Sequence, residues 1–124
     1  MKRTLIIVAH GSRRQASNDE ISELAKKVMK FANGNYDEVM CAYLEIASPS
    51  IPQAIEQCID NNANSEELEI TILPYFLAAG RHVTEDIPHE VDRVSRPLNN
   101  VNICIKPHIG SAENMAETIL AISR

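Results

Sequence analysis

The sequence predicts an α/β fold, a four-stranded parallel sheet with helices on both faces. Three observations carry that reading. Leu5 to Ala9 is a continuous apolar run of strand length, the pattern of a strand buried on both sides. Between the apolar strands, apolar residues recur at helix spacing, as at Ile21, Leu24, Ala25, Val28, Met29 and Ala32. Strand and helix patterns then alternate to the end of the chain, which implies parallel strands joined by right-handed helical crossovers.

Each element follows in turn. His10-Gly-Ser12 ends the first strand. Two capping-box patterns, Ser12-x-x-Gln15 and Ser17-x-x-Glu20, compete to open the first helix, and Asn33-Gly34 closes it with Gly34 as a left-handed cap. Glu38 to Leu44 is the second strand, ending at Glu45. Ser50 with Gln53 opens the second helix, Pro52 lying in its first turn. That helix has an inner stripe of Ile51, Ala54, Ile55, Cys58 and Ile59. Leu68 to Leu73 is a third, apolar strand. It runs into an apolar loop where Gly80 is expected to permit a turn that a Cβ would resist. The third helix starts near Asp86, because Pro88 must lie in a first turn; Ile87, Val91 and Val94 are its inner face. Val101 to Ile105 alternates as a half-exposed edge strand does. Ser111 is expected to cap a last helix with Met115, Ile119 and Ile122 inward. The predicted strand order is 2-1-3-4, half of a flavodoxin-like sheet, in one domain spanning 1–124.

Composition excludes several function classes. The chain has 124 residues, 44% of them hydrophobic, and a net charge of −5. No basic domain is offered to nucleic acid, and an acidic substrate would need a local basic patch. No apolar run reaches the roughly 20 residues of a membrane span, and the N-terminal run is too short for a signal peptide. Three widely spaced cysteines, Cys41, Cys58 and Cys104, read as buried reduced thiols rather than a disulfide framework. A cytoplasmic protein is expected.

The carboxyl edge of such a sheet is where ligands bind. His10 ends strand 1, Glu45 ends strand 2, and His82 follows strand 3 by a loop. With strands 1 and 3 adjacent, all three can point into one crevice. Two imidazoles and a carboxylate suit a borderline divalent ion such as cobalt, nickel, iron or zinc, and sparse ligation leaves coordination positions open. A lone histidine at a strand end is commonly just a hydrogen-bonded loop residue, so the pairing carries the argument. His89 falls opposite the inner stripe and reads as a surface residue; His108 lies further along the same edge. Gly11-Ser12-Arg13-Arg14 either holds an anion on backbone N–H groups and guanidinium or is a capped helix start with solvated arginines. Tyr75, Phe76, Leu77 and Ala78 are either core and dimer contact or the wall of a flat apolar ligand site.

Three stretches together resemble a known family: Val8-Ala-His-Gly-Ser-Arg13; Ala42-Tyr-Leu-Glu45 with Pro49 and Ile51-Pro-Gln-Ala-Ile55; and Leu73-Pro-Tyr-Phe-Leu-Ala-Ala-Gly-Arg-His82 with Asp86-Ile-Pro88. They are similar to the small CbiX-type sirohydrochlorin chelatases, in order and at comparable spacing over essentially the whole chain. The Phe-Leu-x-x-Gly-x-His-x-x-x-Asp-Ile-Pro run is the specific part. The resemblance implies a chelatase-like fold that inserts cobalt, nickel or iron(II) into sirohydrochlorin, a polycarboxylate tetrapyrrole. Two protons are released, on the way to cobalamin, coenzyme F430 or sirohaem. It implies His10 as proton acceptor and metal ligand, His82 as second ligand, and Glu45 against metal or substrate. It further implies that Leu77, Ala78, Ala79, Gly80, Arg81 and His82 line the substrate, and that a single-unit chain works as a homodimer.

Physical chemistry agrees with those roles. Neutral imidazole accepts a proton near pH 7 or donates a lone pair to a metal, and nearby metal charge acidifies the pyrrole N–H. Arg13, Arg14 and Arg81, with Ser12, are the expected partners of substrate carboxylates. The metal is substrate, so no permanently bound cofactor is expected. Two other readings stay open. One is a metal or tetrapyrrole carrier on the same fold. The other is a histidine-phosphatase-like enzyme, against which Ala9 stands where an arginine would precede His-Gly.

Overall fold

Eight residues of extended chain, Lys2–Ala9, form β1, and everything else is laid around it. The structure is a computed structural model that describes residues 1–62 and 66–124. β1 is followed by α1 (Gln15–Phe31), β2 (Glu38–Tyr43), α2 (Ile51–Asn61) and β3 (Leu68–Pro74). A π-helical turn (His82–Asp86) then leads into α3 (Ile87–Asp92), and β4 (Val101–Ile105), a 3-10 turn (Ile109–Ser111) and α4 (Met115–Ser123) complete the chain. All four strands are parallel, in the order β2-β1-β3-β4. The fold class and strand order are those the sequence predicts.

Successive side chains of β1 enter opposite layers, as a strand's period of two requires. Ile6 and Val8 join Ala42, Ile70, Ile72 and the α2 residues Ile51, Ala54 and Ile55 in one fully buried cluster, which Ile87 of α3 closes. Leu5 and Ile7 face Ala25 of α1 on the other side. Cys58 lies in the first cluster, and burial pushes its thiol up to about 11, so it is an inert core residue. Cys41 is half-buried and Cys104 is exposed, so the expectation of three buried thiols holds for Cys58 alone.

α2 starts as its sequence predicts, with a complete capping box between Ser50 and Gln53. Neither pattern expected to cap α1 does so. Arg14 occupies the N-cap position without a side-chain bond. The Ser12 hydroxyl instead accepts from the Arg14 N–H, while buried Asn18 clasps the Ser12 backbone with both ends of its amide. The Tyr43 phenol, pushed up by burial and therefore protonated, donates to the Asn18 carbonyl at 2.7 Å. At α1's far end Gly34 has φ +86, as the Asn33-Gly34 pair predicts.

α4 departs most from expectation. Its first turn is preceded by Asn114, not Ser111, which belongs to the 3-10 turn. Ile119, Leu120 and Ile122 are 57, 63 and 80% exposed, so Ile119 and Ile122 do not face inward. In a doubly wound sheet a helix lies back across the strands on its way to the next strand. Here α4 leaves those three side chains exposed, and the β4 face carrying Asn102 and Cys104 is exposed with it. Among the described residues no helix is long and apolar enough to cross a membrane.

Candidate functional site

The β1–β2 ladder continues past the ends of both strands. The Leu44 N–H donates to the Ala9 carbonyl at 2.8 Å, and the Glu45 N–H to the His10 carbonyl at 3.0 Å. That pairing sets Glu45 beside His10, and their side chains meet with His10 Nε2 2.8 Å from Glu45 Oε1. Gly11 permits the approach. It has φ +99, and a Cβ there would lie 1.8 Å from the Glu45 carbonyl oxygen. On the other flank of β1, the Tyr75 N–H donates to the Val8 carbonyl at 2.7 Å, tying down the loop after β3. Gly110 holds the same loop from β4's side. Its N–H donates to the Phe76 carbonyl, and a Cβ would lie 1.9 Å from the Leu77 carbonyl oxygen. Gly80, expected to permit a turn that a Cβ would resist, has open space around it and no positive φ, so a Cβ would be tolerated.

The loop returns through the π turn, closed by the Ile87 N–H donating to the His82 carbonyl. Pro88 has no N–H to offer a preceding carbonyl, and the wider turn sits directly before it. His82 opens this turn. Its ring rests near Phe76, with centroids 5.8 Å apart, and Phe76 is packed on the core below. It also faces His10, ring centroids 4.9 Å apart and planes tilted by 52°. Two imidazoles sharing a tetrahedral ion through metal–nitrogen bonds of about 2 Å have centroids roughly 5 Å apart.

The nitrogens of the two rings are placed differently. His10 Nδ1 lies 3.1 Å from the Gly11 carbonyl oxygen, which can only accept, so Nδ1 carries a hydrogen. Nε2 then shares one proton with Glu45, whose side chain is 56% exposed. His82 Nδ1 lies 2.8 Å from Asp86 Oδ2, four residues on across the turn. A hydrogen on Nδ1 satisfies that carboxylate and leaves a lone pair on Nε2, for which the described residues offer no hydrogen-bond partner. Sequence reasoning reads Asp86 as a helix opener and as part of the family-like run, and misses its contact with His82, which makes it a candidate site residue. Among the described residues no group of three or more His, Cys, Asp and Glu side chains is arranged to hold a metal ion. Glu45 turns to His10 and Asp86 to His82, so the site is two facing imidazole–carboxylate pairs.

The remaining expected residues surround this centre. Leu77 is 78% exposed on the crevice edge, and Ala78, Ala79 and Gly80 are exposed beside it. Arg81 pairs with Glu85 at 3.2 Å on the open surface, a contact of little strength. Arg13 and Arg14 are exposed, and their guanidinium groups have no partner among the described residues. Ser12 is held in its own loop, as described above. His89 is exposed as expected, but it lines a cleft of about 350 Å³ with Glu45, Asp86 and Glu90. His108 is half-buried, and among the described residues no ring contact joins it to the histidine pair.

Comparison with known proteins places the chain by family and fold. A family model described as CbiX matches residues 4–123. A sirohydrochlorin cobaltochelatase of Methanococcus maripaludis is 38% identical over 84 residues, 68% of this chain and 54% of that protein. A chloroplastic sirohydrochlorin ferrochelatase of Arabidopsis thaliana is 34% identical over 106 residues, 86% of this chain and 44% of that protein. The chain thus spans about half the length of these relatives. A crystal structure from Marinobacter aquaeolei, described as a CbiX protein of cobalamin (vitamin B12) biosynthesis, superposes with a TM-score of 0.77 at 26% identity. That match covers 98% of this chain and 93% of that one.

Proposed function

The chain belongs to the CbiX family, and on that premise we propose that it is a chelatase inserting a divalent metal ion into sirohydrochlorin. The observation that carries the reading is the face-to-face pair of imidazoles, each with one nitrogen engaged by its own carboxylate. Insertion requires a metal to be held loosely, pyrrole protons to be removed, and the product to leave. His82, with an open Nε2, is the metal-holding ring. His10 passes the proton it shares to exposed Glu45, and so to water, and the lone pair this frees on Nε2 then either takes up a pyrrole proton or meets the metal. The metal is a substrate, and no permanently bound cofactor belongs to this scheme.

Arg13 and Arg14, unpaired among the described residues, with Arg81 held by an exposed ion pair, supply the local positive charge that a carboxylated substrate requires on a chain of net charge −5. Exposed Leu77 to Gly80 provide an apolar ledge for the ring. A cytoplasmic site of action is part of the proposal, and the free state of all three cysteines suits it.

A homodimer is also part of it. Ile119, Leu120 and Ile122 offer an apolar helix face with no cover in one chain. Placing glutamate at both Ile119 and Ile122 is expected to convert a dimer to monomer in sedimentation velocity, and an unchanged sedimentation coefficient would exclude this face as the contact.

The functional reading is tested by anaerobic absorbance of metal-free sirohydrochlorin with cobalt, nickel or iron(II) in turn, since imidazole accepts all of them. Many turnovers per chain are expected with at least one metal. Binding of a single equivalent without turnover would identify a carrier instead.

A further inference from the structure

Ile46 stands immediately after Glu45 in a conformation that a β-branched residue rarely adopts. Its φ is +74, and the Ala47 N–H donates to the Glu45 carbonyl at 2.8 Å, which closes a three-residue γ-turn around it. Positive φ at a β-branched residue is a costly outlier. The side chain gains nothing from the fold in return, since Ile46 is 60% exposed. Folding alone would place glycine, asparagine or aspartate here.

Its location is particular. β2 and β3 flank β1, so Ile46 after β2 and the exposed Leu77 after β3 stand on either side of His10 along the carboxyl edge. Ile46 also lines a cleft of about 520 Å³ together with Ser12, Arg13 and Gln15. One wall of that cleft is thus apolar, and the other carries a guanidinium without a partner among the described residues. A ligand that fits both has an apolar ring face and an anionic margin.

We propose that Ile46 is a substrate-positioning residue, packing on the ring face of the tetrapyrrole at the margin where Arg13 meets a peripheral carboxylate. The inference rests on the chelatase reading of the same site. Its strained turn holds the side chain up from the loop, and the strain is compensated when the ring covers it.

Equilibrium titration of the full chain with metal-free sirohydrochlorin, together with a thermal unfolding midpoint, tests it. Ile46→Gly relaxes the turn and removes the side chain. The expected result is a dissociation constant raised about tenfold or more, the loss of one buried aliphatic contact, with an unfolding midpoint equal to or above that of the unsubstituted chain. Ile46→Val is expected to keep binding within about twofold, since the smaller side chain still presents most of that contact. Unchanged binding by Ile46→Gly would overturn the proposal, as would a lowered midpoint, which would assign Ile46 to the fold. Failure of the unsubstituted chain to bind sirohydrochlorin would instead remove the chelatase reading beneath it.

Discussion

His10→Ala is expected to lower the rate of metal insertion by about 10²- to 10⁴-fold, the usual contribution of a positioned acid–base group. Its Nε2 shares a proton, through the 2.8 Å contact with Glu45, with a carboxylate that is open to water. Without the ring the proposed path for a pyrrole proton, through Nε2 to Glu45 and water, is lost. His82→Ala is expected to fail differently, because its open Nε2 is the lone pair proposed to hold the metal. Insertion then requires far higher metal concentrations, where His10→Ala is slow even at metal saturation. Asp86→Ala is the graded case. It leaves the His82 ring in place but frees it to rotate and to change tautomer, and a loss of about 10- to 100-fold in metal affinity or rate is expected. Both rings are part-exposed, with side-chain accessibilities of 42 and 45%, so the folded core survives each change. Steady-state kinetics with separate titrations of metal and tetrapyrrole distinguish the three variants. Normal turnover in either histidine variant would remove the basis for the assigned roles.

Strand order and the sites of His10, Glu45 and His82 were readable from the chain because both depend on local pattern. An apolar run buried on both faces, a helix stripe between strands and a polar residue at each strand's end need no knowledge of distant contacts. α4 was misread because its spacing shows that an apolar face exists but not what covers it. The role of Asp86 was missed for a related reason. Its contact with His82 requires helical backbone back to residue 82, whereas Pro88 argued for a start near 86; the π turn reconciles the two. Ser12 carries a sound capping signal, yet buried Asn18 holds its backbone and fixes the loop another way.

The two glycines show the same limit most sharply, and they lead to the second large effect. Gly80 follows an apolar strand and Gly11 follows His10; only Gly11 is pressed against another strand's end. Gly11→Ala would set a Cβ 1.8 Å from the Glu45 carbonyl oxygen, when real Cβ atoms essentially never approach within 3.0 Å. The carbonyl must therefore retreat by more than 1 Å, the difference between those two distances. That carbonyl also accepts the Ala47 N–H, and the Glu45 N–H is bonded to His10, so the whole turn moves with it. A displacement of that size in a catalytic pair costs about 100-fold in rate. Positive φ adds a conformational cost of about 1–3 kcal/mol. Gly11→Ala is thus expected to lose both turnover and several degrees of unfolding midpoint. Gly80→Ala, with nothing within 4 Å and no positive φ, is expected to hold or slightly raise the midpoint. Parallel melting curves of the two variants check the prediction. Equal midpoints would mean that the β1–β2 edge yields to a Cβ without strain, and the placement of Glu45 against His10 would then owe nothing to Gly11.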